Sequence, residues 1–417
     1  MKNSGIPWIG DIPISWEVMP HKRVMHKIKE IQEHYNGEDI ISLTMRGVIV
    51  RDLDAGGKMP TSFDGYQKVY PNNLLQCLFD IDVTPRCVGL IKNEGLTSPA
   101  YSQFEMHPNA YAPYYDYLLR YMDDGKTLLH LSKNLRSSLT ETDFGSIDTC
   151  VPSIIEQQKI ASFLDRKCAE IDEMIALQEK IIDELKAYKQ SVITEAVTKG
   201  LNPDVPMKDS GIEWIGEIPE HWEVCKIKNS LEINPPQYHK LEEDTEVSYM
   251  PMECLRNGII EKRVALYGSL PSLTEFSDGD IVMAKVTPCF ENGNIAVASD
   301  LTNGVGFGSS EVFVFRCHAN TLSNYAFYYL QSPYVKARGV SSMTGTGGLK
   351  RINPHYFCDS LMLLPNHSEQ QEIAEYLDAK CIEIDNLISI KLSKIGSLKE
   401  YKKSIIYEYV TGKKEVI

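Results

Sequence analysis

The sequence predicts an α+β protein: two globular α/β modules related by pseudo-twofold symmetry, joined by two long helices that form an antiparallel coiled coil. Three observations predict it. A tryptophan-rich segment occurs twice, a glutamine-rich helix start occurs twice in alternation with it, and each start opens a long proline-free stretch with a seven-residue apolar period.

The tryptophan-rich segment opens each half. Residues 3–18 read NSGIPWIGDIPISWEV and residues 209–224 read DSGIEWIGEIPEHWEV. Ser4, Gly5, Trp8, Gly10, Pro13, Trp16 and Val18 return as Ser210, Gly211, Trp214, Gly216, Pro219, Trp222 and Val224, at an offset of 206. All four tryptophans of the chain lie in this repeat, and chance does not produce such a match. Trp8, Trp16, Trp214 and Trp222 are expected to be packing anchors rather than base-stacking groups.

Between the repeats lie two stretches, about 19–150 and 225–363, with a common ground plan and few identities. Thr84-Pro85 and Thr287-Pro288 each follow an apolar run that reads as a strand, 74–79 and 281–286. Further strands are expected at 87–91, 295–298 and 311–315, and tyrosine-rich helices at 114–121 and 325–330. Phe144 and Phe357 precede the apolar runs that close at Val151-Pro152 and Leu364-Pro365.

The helices come next. Residues 156–172 read EQQKIASFLDRKCAEID and residues 369–385 read EQQEIAEYLDAKCIEID, at an offset of 213, so the second variable stretch is seven residues longer than the first. From Ser153 to Lys199 there is neither proline nor glycine, and a helix of ~40 residues runs ~60 Å. Leu164, Ile171, Gln178, Leu185 and Val192 recur every seventh residue, with Cys168, Ile175 and Ile182 four further on. Leu377, Ile384, Lys391, Leu398 and Ile405, flanked by Cys381, Ile388 and Ile395, repeat the pattern. The expected helix-pair interface is Leu164, Ile171, Ile175, Ile182, Leu185, Leu377, Ile384, Ile388, Ile395 and Leu398. Gln178 and Lys391 are its polar seam positions, and Gly396 weakens the second helix by roughly 1 kcal/mol relative to alanine.

Composition narrows the function. At 417 residues the chain needs more than one core, and 43% hydrophobic with 24% charged residues is ordinary for a soluble globular protein. The ten cysteines include no CxxC pair, which argues against zinc and for a reduced compartment. No apolar run of about 18 residues could span a bilayer and the first residues lack a signal-peptide core, so the cytoplasm is the expected location. A net charge of −14 requires any contact with nucleic acid to come from a local basic cleft or from a basic partner.

The paired WIGxIPxxW and EQQxIAxxLD motifs and their two-copy alternation resemble the specificity subunit of type I restriction–modification enzymes, over essentially the whole chain. The resemblance implies two target recognition domains, 1–152 and 204–365, each reading one half of a split, asymmetric double-stranded DNA site. It implies that the central helix, 153–203, and the C-terminal helix, 366–417, set the unread gap. It also implies that they dock two adenine methyltransferase subunits, which restriction/translocase subunits then join. S-adenosylmethionine, ATP and magnesium would belong to those partners, with no cofactor and no catalytic residue in this chain. Physics points the same way: unlike readers on a rigid spacer recognise two half-sites at fixed separation.

Base edges are read by Arg, Lys, Asn and Gln, and phosphates are held by cations and backbone N–H groups. In the second module the loop Thr344-Gly-Thr-Gly-Gly-Leu-Lys350-Arg351 brings a flexible backbone and two cations. The corresponding stretch of the first holds Lys133, Asn134 and Arg136. Lys285, Thr287, Asn292 and Asn294 around a strand end, and Arg46 and Arg51, complete the DNA-binding candidates.

Two alternatives stand beside this reading: a self-contained DNA adenine methyltransferase or nuclease, and a coiled-coil scaffold unrelated to DNA, which the acidic charge favours. For the first, Asn234-Pro235-Pro236-Gln237 resembles the Asn-Pro-Pro-aromatic motif that holds a target amino group, but the aromatic Tyr238 falls one place late. A turn is the expected reading there. No GxxxxGK[ST] loop or HExxH cluster occurs, and Asp278-Gly279-Asp280 reads as a turn.

Overall fold

The computed structural model of the chain describes residues 1–55, 60–132, 137–236, 239–270, 273–345 and 348–416. It divides into two compact units. The first is Met1–Glu179 with Leu392–Ile417; the second is Lys180–Lys391. Each unit therefore contains one module, the start of the long helix that follows it, and the end of the other long helix.

In the first unit the opening motif is a small antiparallel pair, Lys2–Asn3 with Asp11–Ile12. Between them the Asn3 side chain accepts the N–H of Gly5 (2.9 Å), and Ser4 Oγ accepts that of Ile6 (3.1 Å). Gly5 sits at φ +74°, a conformation an L-residue rarely adopts. Asp209, Ser210 and Gly211 repeat this turn in the second unit, which is why the Ser-Gly-Ile signature returns intact.

The body of the first module is an antiparallel four-stranded sheet in the order Met25–Ile28, Ser102–Met106, Leu74–Gln76, Val88–Leu90. Beside it Gln67–Val69 pairs with Gly95–Thr97, and Ile41–Thr44 forms a hairpin with Gly47–Val50. An isolated parallel bridge, Ile40 to Leu96, joins these two pairs. Helix α1, Ala112–Asp124, buries Tyr114, Tyr115, Leu118, Leu119 and Met122. The module closes where Asp148–Val151 pairs back onto Glu17–Pro20, and helix α2, Ile154–Lys199, follows.

The second module has the same plan. Its first sheet runs Leu231–Ile233, Val312–Cys317, Ile281–Ala284, Ile295–Val297. Ile281–Ala284 is wholly buried with a partner strand on each side, as an unbroken apolar run demands. Its second sheet places Glu246–Met250 parallel to Val305–Gly308, with Arg263–Leu266 and Thr274–Ser277 outside them. Helix α3, Ser323–Leu330, holds the tyrosines, Leu361–Leu364 pairs with Glu223–Lys226, and helix α4, His367–Val410, closes the order. The strands and tyrosine helices expected from sequence are present with ends shifted by no more than three residues.

The EQQ starts have a structural reason. Gln157 is buried, and its Nε2 donates to the carbonyls of Pro152 and Asn109 (2.9 Å each) while its Oε1 accepts the N–H of Tyr111 (2.8 Å). Gln370 makes the same three bonds with Pro365, Asn320 and Leu322. Each glutamine thus ties the first turn of a long helix to the loop that enters the tyrosine helix. The Leu-Asp pair continues the logic: Tyr117 Oη donates to Asp165 (2.8 Å) and Tyr328 Oη to Asp378 (2.7 Å).

Within the first unit the start of α2 and the end of α4 run antiparallel. The rings of Phe163 and Tyr409 lie 4.4 Å apart, and Lys402 reaches both carboxylate oxygens of Asp172 (2.6 and 2.7 Å). In the second unit Lys189 holds Asp385 in the same way (2.7 and 2.8 Å). The carboxylates of these pairs are exposed and the lysines half-buried, so Lys402→Met or Lys189→Met should each lower stability by only about 0.2–1 kcal/mol in urea titrations. A loss above 2 kcal/mol would contradict that assignment.

Of the interface residues expected from the heptads, Leu164, Ile171, Ile175, Ile182, Leu377, Ile384, Ile395 and Leu398 are buried, and Leu185 and Ile388 are half-buried. Leu377 also joins the core of the second module, with Val192, Ile193, Tyr328 and Tyr329. Gln178 and Lys391 are half-buried.

Candidate nucleic-acid interface

In the second unit the sequence candidates gather where strand Ile281–Ala284 ends. Lys285 follows that strand with its ammonium 5.7 Å from the ring centroid of Phe313. Val286 bridges to Arg351, and Arg351 also bridges to Thr344, so the glycine loop folds back over the strand end. Thr287 stitches the two together. Its Oγ1 donates to the Gly348 carbonyl (2.8 Å) and accepts the Lys350 N–H (2.9 Å), and its own N–H donates to the Lys350 carbonyl (3.0 Å).

The cations here are not equivalent. Arg351 makes a two-pronged contact with Glu311 (2.8 and 2.8 Å), and this guanidinium holds the Glu311 carboxyl below the usual range. Arg351 is thus already matched by a carboxylate. Lys350 is exposed and has no ion pair among the described residues, so it is the cation of this loop open to a phosphate. Asn292 and Asn294 lie on the next turn, their N–H groups donating to the carbonyls of Pro288 (2.9 Å) and Cys289 (3.1 Å).

In the first unit Lys133, Asn134 and Arg136 lie outside the described residues. The chain just after them is tied to the equivalent strand end: Ile81 N–H donates to the Ser137 carbonyl (3.1 Å) and Leu139 N–H to that of Leu78 (2.8 Å). Arg46 is exposed at the turn of the hairpin, with its N–H on Thr44 Oγ1 (3.2 Å). Arg51 leaves the same hairpin half-buried, its N–H on the Ile40 carbonyl (2.7 Å).

The tryptophans divide. Trp16 and Trp222 are buried anchors, and Trp16 Nε1 donates to Glu156 (3.3 Å). Trp214 is 43% exposed, yet its ring stacks on Tyr334 at 4.8 Å. Trp8 is half-buried near Tyr121.

The Asn-Pro-Pro segment is a turn. Asn234 has φ +49°, its Oδ1 accepts the Val314 N–H (3.1 Å) and its own N–H donates to the Val314 carbonyl (2.7 Å). Gln237 and Tyr238 lie outside the described residues. Asp278 and Asp280 cap backbone N–H groups of Leu301 and Ser277, and Asp280 holds Arg316. Among the described residues no group of three His, Cys, Asp or Glu could hold a metal ion, all ten cysteines are free, and no helix is long and apolar enough to cross a membrane.

Solved chains of type I restriction–modification systems share this duplicated architecture. A chain from a solved structure concerned with complex assembly and conformational transition of the type I R-M system matches with a TM-score of 0.70 at 14% identity, over 96% of this chain and 98% of that one. The HsdS subunit from Thermoanaerobacter tengcongensis matches with a TM-score of 0.54 at 15% identity, over 99% and 100% of the two chains. Among curated relatives, the type I restriction enzyme EcoEI specificity subunit of Escherichia coli is 30% identical over 199 residues, 46% of this chain. The match spans 33% of that relative's length. No family model matches the chain. The resemblance read from the paired motifs therefore holds: the relatives are type I restriction enzyme specificity subunits, and the fold is that of S subunits.

Proposed function

We propose that this chain is the DNA-recognition subunit of a type I restriction–modification complex. Each module reads one half of a split site. The long helices carry methyltransferase subunits, to which restriction/translocase subunits are added. The chain itself is non-catalytic, and S-adenosylmethionine, ATP and magnesium are bound by its partners.

The observation that carries this reading is the repetition of one topology with different contents. Both modules hang the same four-stranded sheet and the same buried glutamine clamp on a long helix, while the loops at the strand ends differ residue by residue. Identical frames with unlike loops are what two different half-sites require of one scaffold. The acidic charge fits if partner subunits neutralise most of the phosphates.

The test is co-expression with a partner methyltransferase followed by mapping of methylated adenines. Methylation at a split site is expected, and exchange of residues 19–150 should change one half of it and leave the other. Absence of any split motif, or a DNA-free assembly insensitive to salt, would favour a scaffold unrelated to DNA. Binding of S-adenosylmethionine by the isolated chain would favour an enzyme.

A further inference from the structure

Beside the turn that carries Asn292 and Asn294, the second unit holds a small concavity of about 130 Å³. Asn257, Asn292, Asn294, Gln331 and Lys336 are among its polar lining, Met283 and Phe290 among its apolar lining, and no carboxylate lines it among the described residues.

Asn294 is the residue that asks for a ligand. It is only 8% exposed, and its backbone is fully used, with the N–H on Cys289 and the carbonyl accepting from Ala284. Its side-chain amide has no hydrogen-bond partner among the described residues and still reaches the surface of the concavity, so it is open to a group that enters there. Across the concavity the amides are already oriented. Asn257 Nδ2 donates to Gln331 Oε1 (2.9 Å), and Gln331 Nε2 donates to the Phe327 carbonyl (3.1 Å), which leaves Asn257 Oδ1 as an open acceptor. At the rim Asn292 and Lys336 are exposed, Asn292 without a side-chain hydrogen bond and Lys336 without an ion pair among the described residues.

Open amides beside an apolar wall match one base pair better than the others. The major-groove edge of A·T presents the adenine N6 donor and N7 acceptor, which a side-chain amide pairs, next to the thymine O4 and methyl group. Cytosine is matched by a carboxylate, which this lining lacks, and guanine by a bidentate cation, whereas the single cation here, Lys336, is one of several polar groups that are mostly amides. We propose that this concavity is a base-reading site of the second module. Asn292 and Asn294 read an A·T pair, its thymine methyl lies against Phe290 and Met283, and Lys336 holds a neighbouring phosphate.

The first module differs at the same register. Cys87 stands where Asn294 does, its carbonyl accepting from Cys77 as that of Asn294 accepts from Ala284. There Arg86 is largely buried and bound by Asp123 (3.3 Å) and Asp124 (2.8 Å). The two modules thus present unlike chemistry at equivalent positions, as a specificity-determining site should.

This inference rests on the DNA-reading function proposed above, and the experiment separates the two. The complete complex with its methyltransferase is first mapped for methylated adenines. It is then assayed on its own split site with single thymines of the second half-site replaced by deoxyuridine, and again as the Asn292→Ala variant. Methylation is expected to fall about tenfold when one particular thymine loses its methyl group, and Asn292→Ala should relax discrimination at that same pair while the first half-site is unchanged. The deoxyuridine arm needs no altered protein, so misfolding cannot obscure it. If the wild-type complex marks no split site, the DNA-reading function itself falls. If it marks one but every deoxyuridine substrate and Asn292→Ala behave as wild type, this concavity is not the reader.

Discussion

Replacing Gln157 with leucine is expected to destabilise the first unit by about 2 kcal/mol, although the change is close to isosteric and lies on a helix. The side chain satisfies two carbonyls and one N–H, of which that of Pro152 is buried and those of Asn109 and Tyr111 are partly so. Leucine fills the space and leaves the buried Pro152 carbonyl unpaired at about 1–3 kcal/mol, with smaller losses at the two partly buried groups. Gln370→Leu should do the same to the second unit through Pro365, Asn320 and Leu322. Hydrogen exchange resolved along the chain measures both, with the unaltered unit as internal standard. A loss under about 1 kcal/mol in either variant would show that the clamp contributes little.

The second large effect is a response to acid. His21 is fully buried, its Nδ1 is 3.2 Å from the Phe144 carbonyl, and burial lowers its pKa to about 4. A carbonyl only accepts, so the neutral ring carries its proton on Nδ1 and donates it there. The unfolded chain binds a proton near pH 6.5, and the folded chain does not until about pH 4. Between those values the unfolded state holds more protons, so stability from this residue is intact above pH 6.5 and is lost as pH falls toward 4, about 3 kcal/mol in all. The second unit suggests the control substitution. Ile227 occupies the matching place, and its N–H donates to the Ser360 carbonyl as that of His21 donates to Ile147. His21→Ile should therefore flatten the pH dependence of the first unit over this window. Equal slopes for variant and parent in urea titrations from pH 7 to 4 would refute the assignment.

Much of the fold was legible before any coordinates, because duplication turns a weak pattern into a strong one. The heptads of α2 and α4, the tyrosine helices and the fully apolar strand Ile281–Ala284 carry periodicity that local sequence displays. The small strand pairs beside the first module's main sheet were not legible. Strands such as Gln67–Val69 and Gly95–Thr97 are three residues long, mixed in polarity, and exist only because distant segments pair. Ends were misjudged for a similar reason: after Leu74–Gln76 the apolar run continues, but Phe79 turns toward solvent.

The candidate site was legible in part. Lys285, Thr287, Lys350 and Arg351 are brought together as their spacing around a strand end and a glycine loop suggested. Nothing in the sequence pairs Arg351 with Glu311, since the partners meet through tertiary folding alone. Asn257, Gln331 and Lys336 carry no motif, and only the convergence of separate segments on one concavity singles them out. The glutamines of the EQQ motif were visible as a signature, but their bonds run to loops that no local pattern identifies.

The division of the long helices between units has a consequence for biosynthesis. Residues from Leu392 onward belong to the first unit, where Val410 is buried and its carbonyl accepts the Tyr114 hydroxyl (2.9 Å). The earliest-made module therefore emerges from the ribosome without its final piece, and it cannot mature until residues 392–410 have been made. A nonsense mutation in the codons for residues 392–410 would cripple the half encoded first.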